Sequence, residues 1–237
     1  MIPGLILNCR PAFYQERFHA AFGDLPWAIL DCPITHPEPL SVATPPPAGF
    51  DTLIFTSQMG VATFAPDPQW LAKKVFAVGH GTAEAALAAG FTQVYQTGFD
   101  IADMRQCLSD ETFTSALYPS ADEVTADLEL EFPGRIRRIV TYRMRPRPDL
   151  PPQVTTPALQ GIAIIAPLFS RRGTEILTDI LGKAGITADN ARITAVGISA
   201  NVFAASRGPW HRQAVADQPT LDSVVAKSAE EIESLGA

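Results

Sequence analysis

No apolar run in this chain approaches the roughly 20 residues that a membrane-crossing helix needs, so no membrane span is expected. Cysteine is scarce, and Cys9, Cys32 and Cys107 are odd in number and far apart. That pattern argues against a disulfide framework and against a CxxC metal site, and reduced packing residues are expected. His19, His36, His80 and His211 show no metal-ligand spacing either, so no metal is expected. No GxGxxG or Walker pattern follows any apolar run, which disfavours a nucleotide-binding protein; Val78-Gly79-His80-Gly81-Thr82 is too short a glycine signature to support one. Basic charge is in deficit, with 18 Lys and Arg against 25 Asp and Glu and a net charge of −7. Nucleic acid is repelled on average, and an anionic partner must be met by a local patch. The start, Met1-Ile2-Pro3-Gly4-Leu5-Ile6-Leu7, lacks a basic flank and reads as a first strand, not a signal peptide, so a cytoplasmic location is expected.

What is present points to a folded α/β protein. The 237 residues are long for one core and comfortable for two domains, each of roughly 100–150 residues. Two segments repeat one theme. Phe55-Thr56-Ser57 is followed by Val78-Gly79-His80-Gly81-Thr82-Ala83, and Phe169-Ser170-Arg171-Arg172-Gly173 by Val196-Gly197-Ile198-Ser199-Ala200. In each, an apolar run ends in hydroxyl and glycine residues and passes into a helical pattern, the junction at which open α/β sheets bind ligands.

Strands are predicted at Leu5–Leu7 and Trp27–Leu30, with a helical period over Ala12–Phe22 between them. Proline then recurs from Cys32 to Pro47, which forbids helix and favours extended chain. From Asp51 the alternation resumes, with strands near Thr52–Phe55, Val75–Val78, Val94–Tyr95, Thr114–Tyr118 and Arg135–Thr141. Helical patterns separate them near Gln58–Phe64, Thr82–Ala89, Ile101–Leu108 and Glu123–Glu131. A second proline-rich stretch, Arg143 to Pro152, precedes strands near Ile162–Ala166, Ile193–Val196 and Gln213–Ala216, with helices near Arg172–Ala184, Ser199–Ala205 and Thr220–Leu235. Such alternation predicts mostly parallel sheets covered by helices. Two crossings, near 31–47 and 139–152, mean that 1–35 and 149–237 form one discontinuous domain and 36–148 a second, inserted one.

Several of these segments occur in the order seen in uroporphyrinogen-III synthases, which the chain resembles over nearly its whole length. They are Leu7-Asn8-Cys9-Arg10-Pro11, Leu53-Ile54-Phe55-Thr56-Ser57-Gln58-Met59-Gly60-Val61, Val78-Gly79-His80-Gly81-Thr82-Ala83, Val140-Thr141-Tyr142, Phe169-Ser170-Arg171-Arg172, Ala195-Val196-Gly197-Ile198-Ser199-Ala200 and Ala216-Asp217-Gln218-Pro219-Thr220. The resemblance implies two flavodoxin-like α/β domains joined by a two-stranded linker, with the active site in the cleft between them. It implies an enzyme, a lyase of haem and porphyrin biosynthesis, that cyclises the linear tetrapyrrole hydroxymethylbilane with inversion of the last pyrrole ring and loss of water. No cofactor is implied, and a monomer is expected.

Tyr142 matches the tyrosine that the family places near the end of the return strand, where a phenol can donate to the leaving hydroxyl. Thr56, Ser57, Gly60, Gly79, Thr82, Ser120, Ser170, Gly197 and Ser199 lie at strand-to-helix junctions. Helix capping alone would explain the hydroxyls, while backbone N–H groups at helix starts can also bind substrate carboxylates. The chain departs from the family pattern at Gly197-Ile198-Ser199-Ala200-Asn201, which lacks the paired threonines of some members, and at His80.

Arg135, Arg137, Arg138, Arg143, Arg145 and Arg147 crowd one stretch around Tyr142. A charge run of this kind is ordinarily a solvated face, but its position gives Arg143, together with Arg10 and Arg172, a claim to hold the polycarboxylate. A second reading is a non-catalytic two-domain binder or regulator of a small anion, since fold does not fix function; such a protein would need no Tyr142.

Overall fold

The computed structural model describes residues 4–98, 100–124, 126–204 and 208–236. The chain divides into two compact units, Met1–His36 with Pro146–Ala237, and Pro37–Arg145. It opens in the first unit with β1 (Leu5–Asn8), α1 (Gln15–Phe22) and β2 (Ala28–Asp31), then leaves along β3 (Thr35–Pro39). The second unit runs β4 (Thr52–Phe55), α2 (Gln58–Ala62), β5 (Lys74–Ala77), α3 (His80–Ala88), β6 (Gln93–Gln96), α4 (Ile101–Asp110), β7 (Ala116–Ala121), α5 (Leu128–Glu131) and β8 (Ile136–Pro146). The first unit is completed by α6 (Pro152–Leu159), β9 (Ile164–Leu168), α7 (Arg171–Lys183), β10 (Ile193–Gly197), β11 (Arg212–Val215) and α8 (Leu221–Gly236).

The first unit's sheet has the order β11-β10-β9-β1-β2, and its pairs are parallel. Successive residues of β1 serve opposite faces. Leu5 and Leu7 join a core with Ile164, Leu177 and Leu181, and Ile6 joins one with Phe18, Phe22 and Val224. Burial on both faces explains why β1 is apolar throughout instead of alternating. The second unit's sheet has the order β3-β8-β7-β4-β5-β6, parallel from β8 to β6. Leu53 and Phe55 face one core with Trp70 and Leu117, and Ile54 faces the other with Phe76, Met104 and Tyr118. The protein is therefore a mixed α/β fold with two parallel-dominated sheets, as the βα alternation predicts.

Each sheet reverses its strand order once. The chain adds β2 on one side of β1 and β9 on the other; likewise β5 lies on one side of β4 and β7 on the other. At such switch points the connecting helices diverge and leave a crevice at the carboxyl ends of the strands. Proline sharpens both. β9 pairs with β1 only at Ile164 and Ile165, before Pro167, and β7 pairs with β4 only at Ala116 and Leu117, before Pro119. Without an N–H, neither proline can extend a ladder.

The two crossings are neighbouring strands. Leu40 N–H donates to Thr141 C=O at 2.9 Å and Arg147 N–H to Ile34 C=O at 2.8 Å, so β3 and β8 run antiparallel.

After the second proline-rich stretch, α6 begins at Pro152, a position where a missing N–H costs nothing. Two sequence expectations need correction. The helix expected over Glu123–Glu131 is observed over Leu128–Glu131, and residue 125 lies outside the described residues; Arg138 holds the Ala121 and Asp122 carbonyls just before that stretch. The helix expected over Ser199–Ala205 is a 3-10 turn, Ala200–Phe203, and residue 205 lies outside the described residues.

Candidate functional site

In the second unit, the carboxyl ends of β4, β7 and β8 bring two phenols onto two consecutive hydroxyls. Thr56 Oγ1 lies 3.1 Å from Tyr118 Oη, and Ser57 Oγ lies 2.9 Å from Tyr142 Oη. Both rings are buried, Tyr118 to 1% exposure and Tyr142 to 5%. Burial pushes the Tyr118 phenol up from its ordinary value, against the opposing pull of the Thr56 hydrogen bond and of Arg138. Ser57 is also the N-cap of α2, where its Oγ accepts the Gly60 N–H at 3.1 Å. A hydroxyl that accepts from Gly60 still has its own proton and a second lone pair, so Ser57 can meet the phenol as donor or as acceptor.

Gly60 fits α2 against β7, since a Cβ there would stand 3.0 Å from the Pro119 carbonyl oxygen. At the end of β5, Gly79 turns the chain with φ of 73° and caps α3; its N–H donates to Gly98 C=O at 2.8 Å. Thr82 is buried in the first turn of α3, and Gly81 leaves room for the Gln58 amide.

Ser120 is placed differently from an open anion contact. Its buried hydroxyl donates to Ala121 C=O at 3.0 Å and accepts from Arg138 Nε at 2.8 Å. Arg138 further holds Asp127 Oδ2 at 3.0 Å and the carbonyls of Ala121 and Asp122 at 2.7 Å each. The arginine run thus splits by partner. Arg138 clasps the loop after β7, Arg135 lies over the Phe113 ring, Arg145 pairs with Glu38 at 2.6 Å, and Arg147 meets the Pro33 carbonyl. Arg143, next to Tyr142, is exposed and has no ion-pair partner among the described residues.

In the first unit, the switch point between β1 and β9 is occupied by Arg10. Its guanidinium lies 4.2 Å from the Tyr14 ring centroid and 4.8 Å from that of Phe169. Burial lowers its pKa, opposed by Tyr14 and reinforced by Arg17. No carboxylate pairs with it among the described residues. Its backbone is fixed by Asn8, whose Oδ1 accepts the Arg10 N–H at 3.2 Å and whose Nδ2 donates to Asp31 Oδ1 at 2.7 Å. Asp31 in turn meets His19 Nε2 at 2.8 Å.

Ser170 caps α7 by accepting the Gly173 N–H at 3.1 Å, and Arg172 follows in the first turn. Gly197 ends β10 where a Cβ would collide with Phe203 and Val202, and Ser199 starts the 3-10 turn without a side-chain capping bond.

The residues singled out from sequence therefore gather in two sets. Thr56, Ser57, Gly60, Ser120, Tyr142 and Arg143, with Gly79 and Thr82 beside them, lie at strand ends of the second unit. Arg10, Ser170, Arg172, Gly197 and Ser199 lie at those of the first. Sequence reading missed Tyr118, Thr63, Thr141, Asn8 and Asp31; the usable signal was the proline inside each apolar run, at Pro119 and Pro167. Among the described residues no group of three or more His, Cys, Asp or Glu is placed to hold a metal ion, and no helix is long and apolar enough to cross a membrane.

Comparison with known proteins follows the same lines. A family model described as uroporphyrinogen-III synthase HemD matches residues 16–226. Among solved structures, the chain is similar to uroporphyrinogen-III synthetase from Helicobacter pylori 26695, with a TM-score of 0.61 and 16% identity over 96% of this chain and 99% of that one. It is also similar to Thermus thermophilus uroporphyrinogen III synthase, at 20% identity and a TM-score of 0.41, over 96% of this chain and 99% of that one. A search of curated proteins finds no match.

Proposed function

We propose, on the premise that the chain belongs to the uroporphyrinogen-III synthase family, that it cyclises hydroxymethylbilane to uroporphyrinogen III with inversion of the last pyrrole ring and loss of water. The observation that carries this reading is the buried Tyr142 phenol, 2.9 Å from Ser57 Oγ at the carboxyl end of the second unit's sheet.

The chemistry asks little of the protein in the way of reactive groups. The terminal pyrrole nitrogen can push out the hydroxyl of the hydroxymethyl carbon, giving an azafulvene cation, provided a donor meets the departing oxygen. Tyr142 is that donor, with its phenol oxygen held 2.9 Å from the Ser57 hydroxyl. An electron-rich pyrrole then attacks the cationic carbon. Attack at the substituted carbon of the last ring gives a spiro intermediate and the inverted isomer, while attack at the free carbon gives the uninverted one. The outcome therefore depends on holding a flexible polycarboxylate in one pose, and positioning of this kind carries much of the barrier reduction.

For that task the second unit offers the first turn of α3 with Thr82, the close backbone at Gly79 and the exposed charge of Arg143. Arg10, Ser170, Arg172, Gly197 and Ser199 supply the corresponding groups in the first unit. The isomer formed from freshly generated hydroxymethylbilane tests the reading. Type III is the expected product; type I alone, which forms spontaneously, would overturn it.

A further inference from the structure

Tyr142 reaches Ser57 because of a fault in the ladder that carries it. Along β8, residues on alternate sides serve opposite cores: Ile136 packs with Ile54 and Phe76, and Ile139 with Leu53 and Phe55. A regular strand would continue this alternation and send Thr141 and Tyr142 to opposite faces. The register against β7 breaks at this point. Ser120 lies opposite Val140 and Ala121 opposite Tyr142, leaving Thr141 as an extra residue. That is a β-bulge, which bends the strand and re-aims the side chains beside it.

The bulged residue and the one after it consequently both bond to one short helix. Tyr142 meets Ser57, the N-cap of α2, and Thr141 Oγ1 lies 2.8 Å from Oγ1 of Thr63, its C-cap. The direction of the second bond follows from proton count. Thr63 gives its only hydroxyl proton to Met59 C=O at 2.7 Å, so Thr141 is the donor and Thr63 the acceptor. The rest of the bulge is anchored through its backbone. Thr141 C=O accepts the Leu40 N–H at 2.9 Å, and Tyr142 C=O accepts the Asp122 N–H at 3.0 Å. Asp122 is itself held through its carbonyl by Arg138.

We propose that Thr141 and Thr63 are positioning residues for Tyr142: their hydroxyl bond locks the bulge against α2 and so sets the angle at which the phenol is presented. The proposal rests on the catalytic reading of Tyr142, but the geometry it asserts can be measured apart from catalysis.

The test compares Thr141→Val, Thr63→Val and Thr141→Ser, alone and with Tyr142→Phe, in the full chain. Thr141→Val and Thr63→Val should lower kcat about 3- to 10-fold, the worth of one hydrogen bond, with KM nearly constant. Thr141→Ser should restore it. In the Tyr142→Phe background, Thr141→Val should have almost no further effect, because a group that acts through the phenol has nothing left to act on. Equal losses in both backgrounds would overturn the proposal.

The second readout is the 13Cζ resonance of Tyr142 in tyrosine-labelled protein, assigned by its absence in Tyr142→Phe. It should move in both valine variants and return in Thr141→Ser; an unmoved resonance overturns the proposal. Should the wild-type protein give only type I product, the catalytic reading falls, and the resonance alone decides whether Thr141 and Thr63 set the phenol.

Discussion

The hydroxyl of Tyr142 stands 2.9 Å from Ser57 Oγ, and Ser57 is at the same time the N-cap of α2. One serine thus ties the phenol to the start of a helix, and removing either partner should give a different signature.

Tyr142→Phe should slow formation of the type III isomer by about 3- to 10-fold without abolishing it, because a neutral phenol contributes through a hydrogen bond. Ser57→Ala should show a comparable loss in kcat and, in addition, a stability loss of about 1 kcal/mol from the vacated cap. Steady-state kinetics and thermal unfolding of the two variants check this. Full activity in Tyr142→Phe would remove the tyrosine from the mechanism.

Arg10 and Arg143 should act on binding. Arg10 is stacked over Tyr14 and Phe169, a geometry that suits a planar guanidinium and not an ammonium. Arg10→Lys should therefore raise the substrate KM almost as much as Arg10→Met, by about 10-fold for one lost carboxylate contact. Arg143→Glu should raise KM with unchanged thermal stability, since the side chain is exposed. An unchanged KM in these variants would exclude them as carboxylate contacts.

Gly60→Ala should destabilise the protein by about 1–3 kcal/mol, because a methyl group 3.0 Å from the Pro119 carbonyl forces α2 away from β7. The displacement carries Ser57 with it, so activity should fall together with the unfolding midpoint. Wild-type stability in this variant would show that α2 can move freely.

Alkaline pH should weaken the fold. Burial raises the thiol pKa of Cys9 and of Cys32, and Cys9 is raised further by its neighbour Cys32. The folded protein thus keeps protons that the unfolded chain releases above about pH 8.5. The unfolded state binds fewer protons in that window, so stability is full below it and falls as pH rises through it. Denaturant unfolding between pH 7 and 10 should show the decline, and Cys9→Ala should flatten the slope. The same burial predicts that thiol reagents reach Cys9 and Cys32 only after unfolding.

Much of the architecture was legible because βα alternation leaves two periods in the sequence. Apolar runs such as Leu53–Phe55 and Ile164–Ala166 mark buried parallel strands, and Ser57 and Ser170 cap helices as their junctions suggest. What escaped depends on contacts distant in sequence. Nothing near Glu123 announces that Arg138 will hold the Ala121 and Asp122 carbonyls. The helix α6 that opens at Pro152 was not anticipated, although a proline at the first helical position loses no intrahelical bond. In the candidate site, residue types and junctions were readable, whereas the bulge at Thr141 was not, because an extra residue is defined only by the partner strand.

Pro119 and Pro167 have a further consequence. Each stands in a strand flanked on both sides, where a residue with an N–H would let the backbone zip onward toward β4 or β1. Proline is a permanent stop in that zipper. It keeps the mouth of each sheet parted even with nothing in it, so the opening is written into the covalent chain and need not be wedged apart by a ligand.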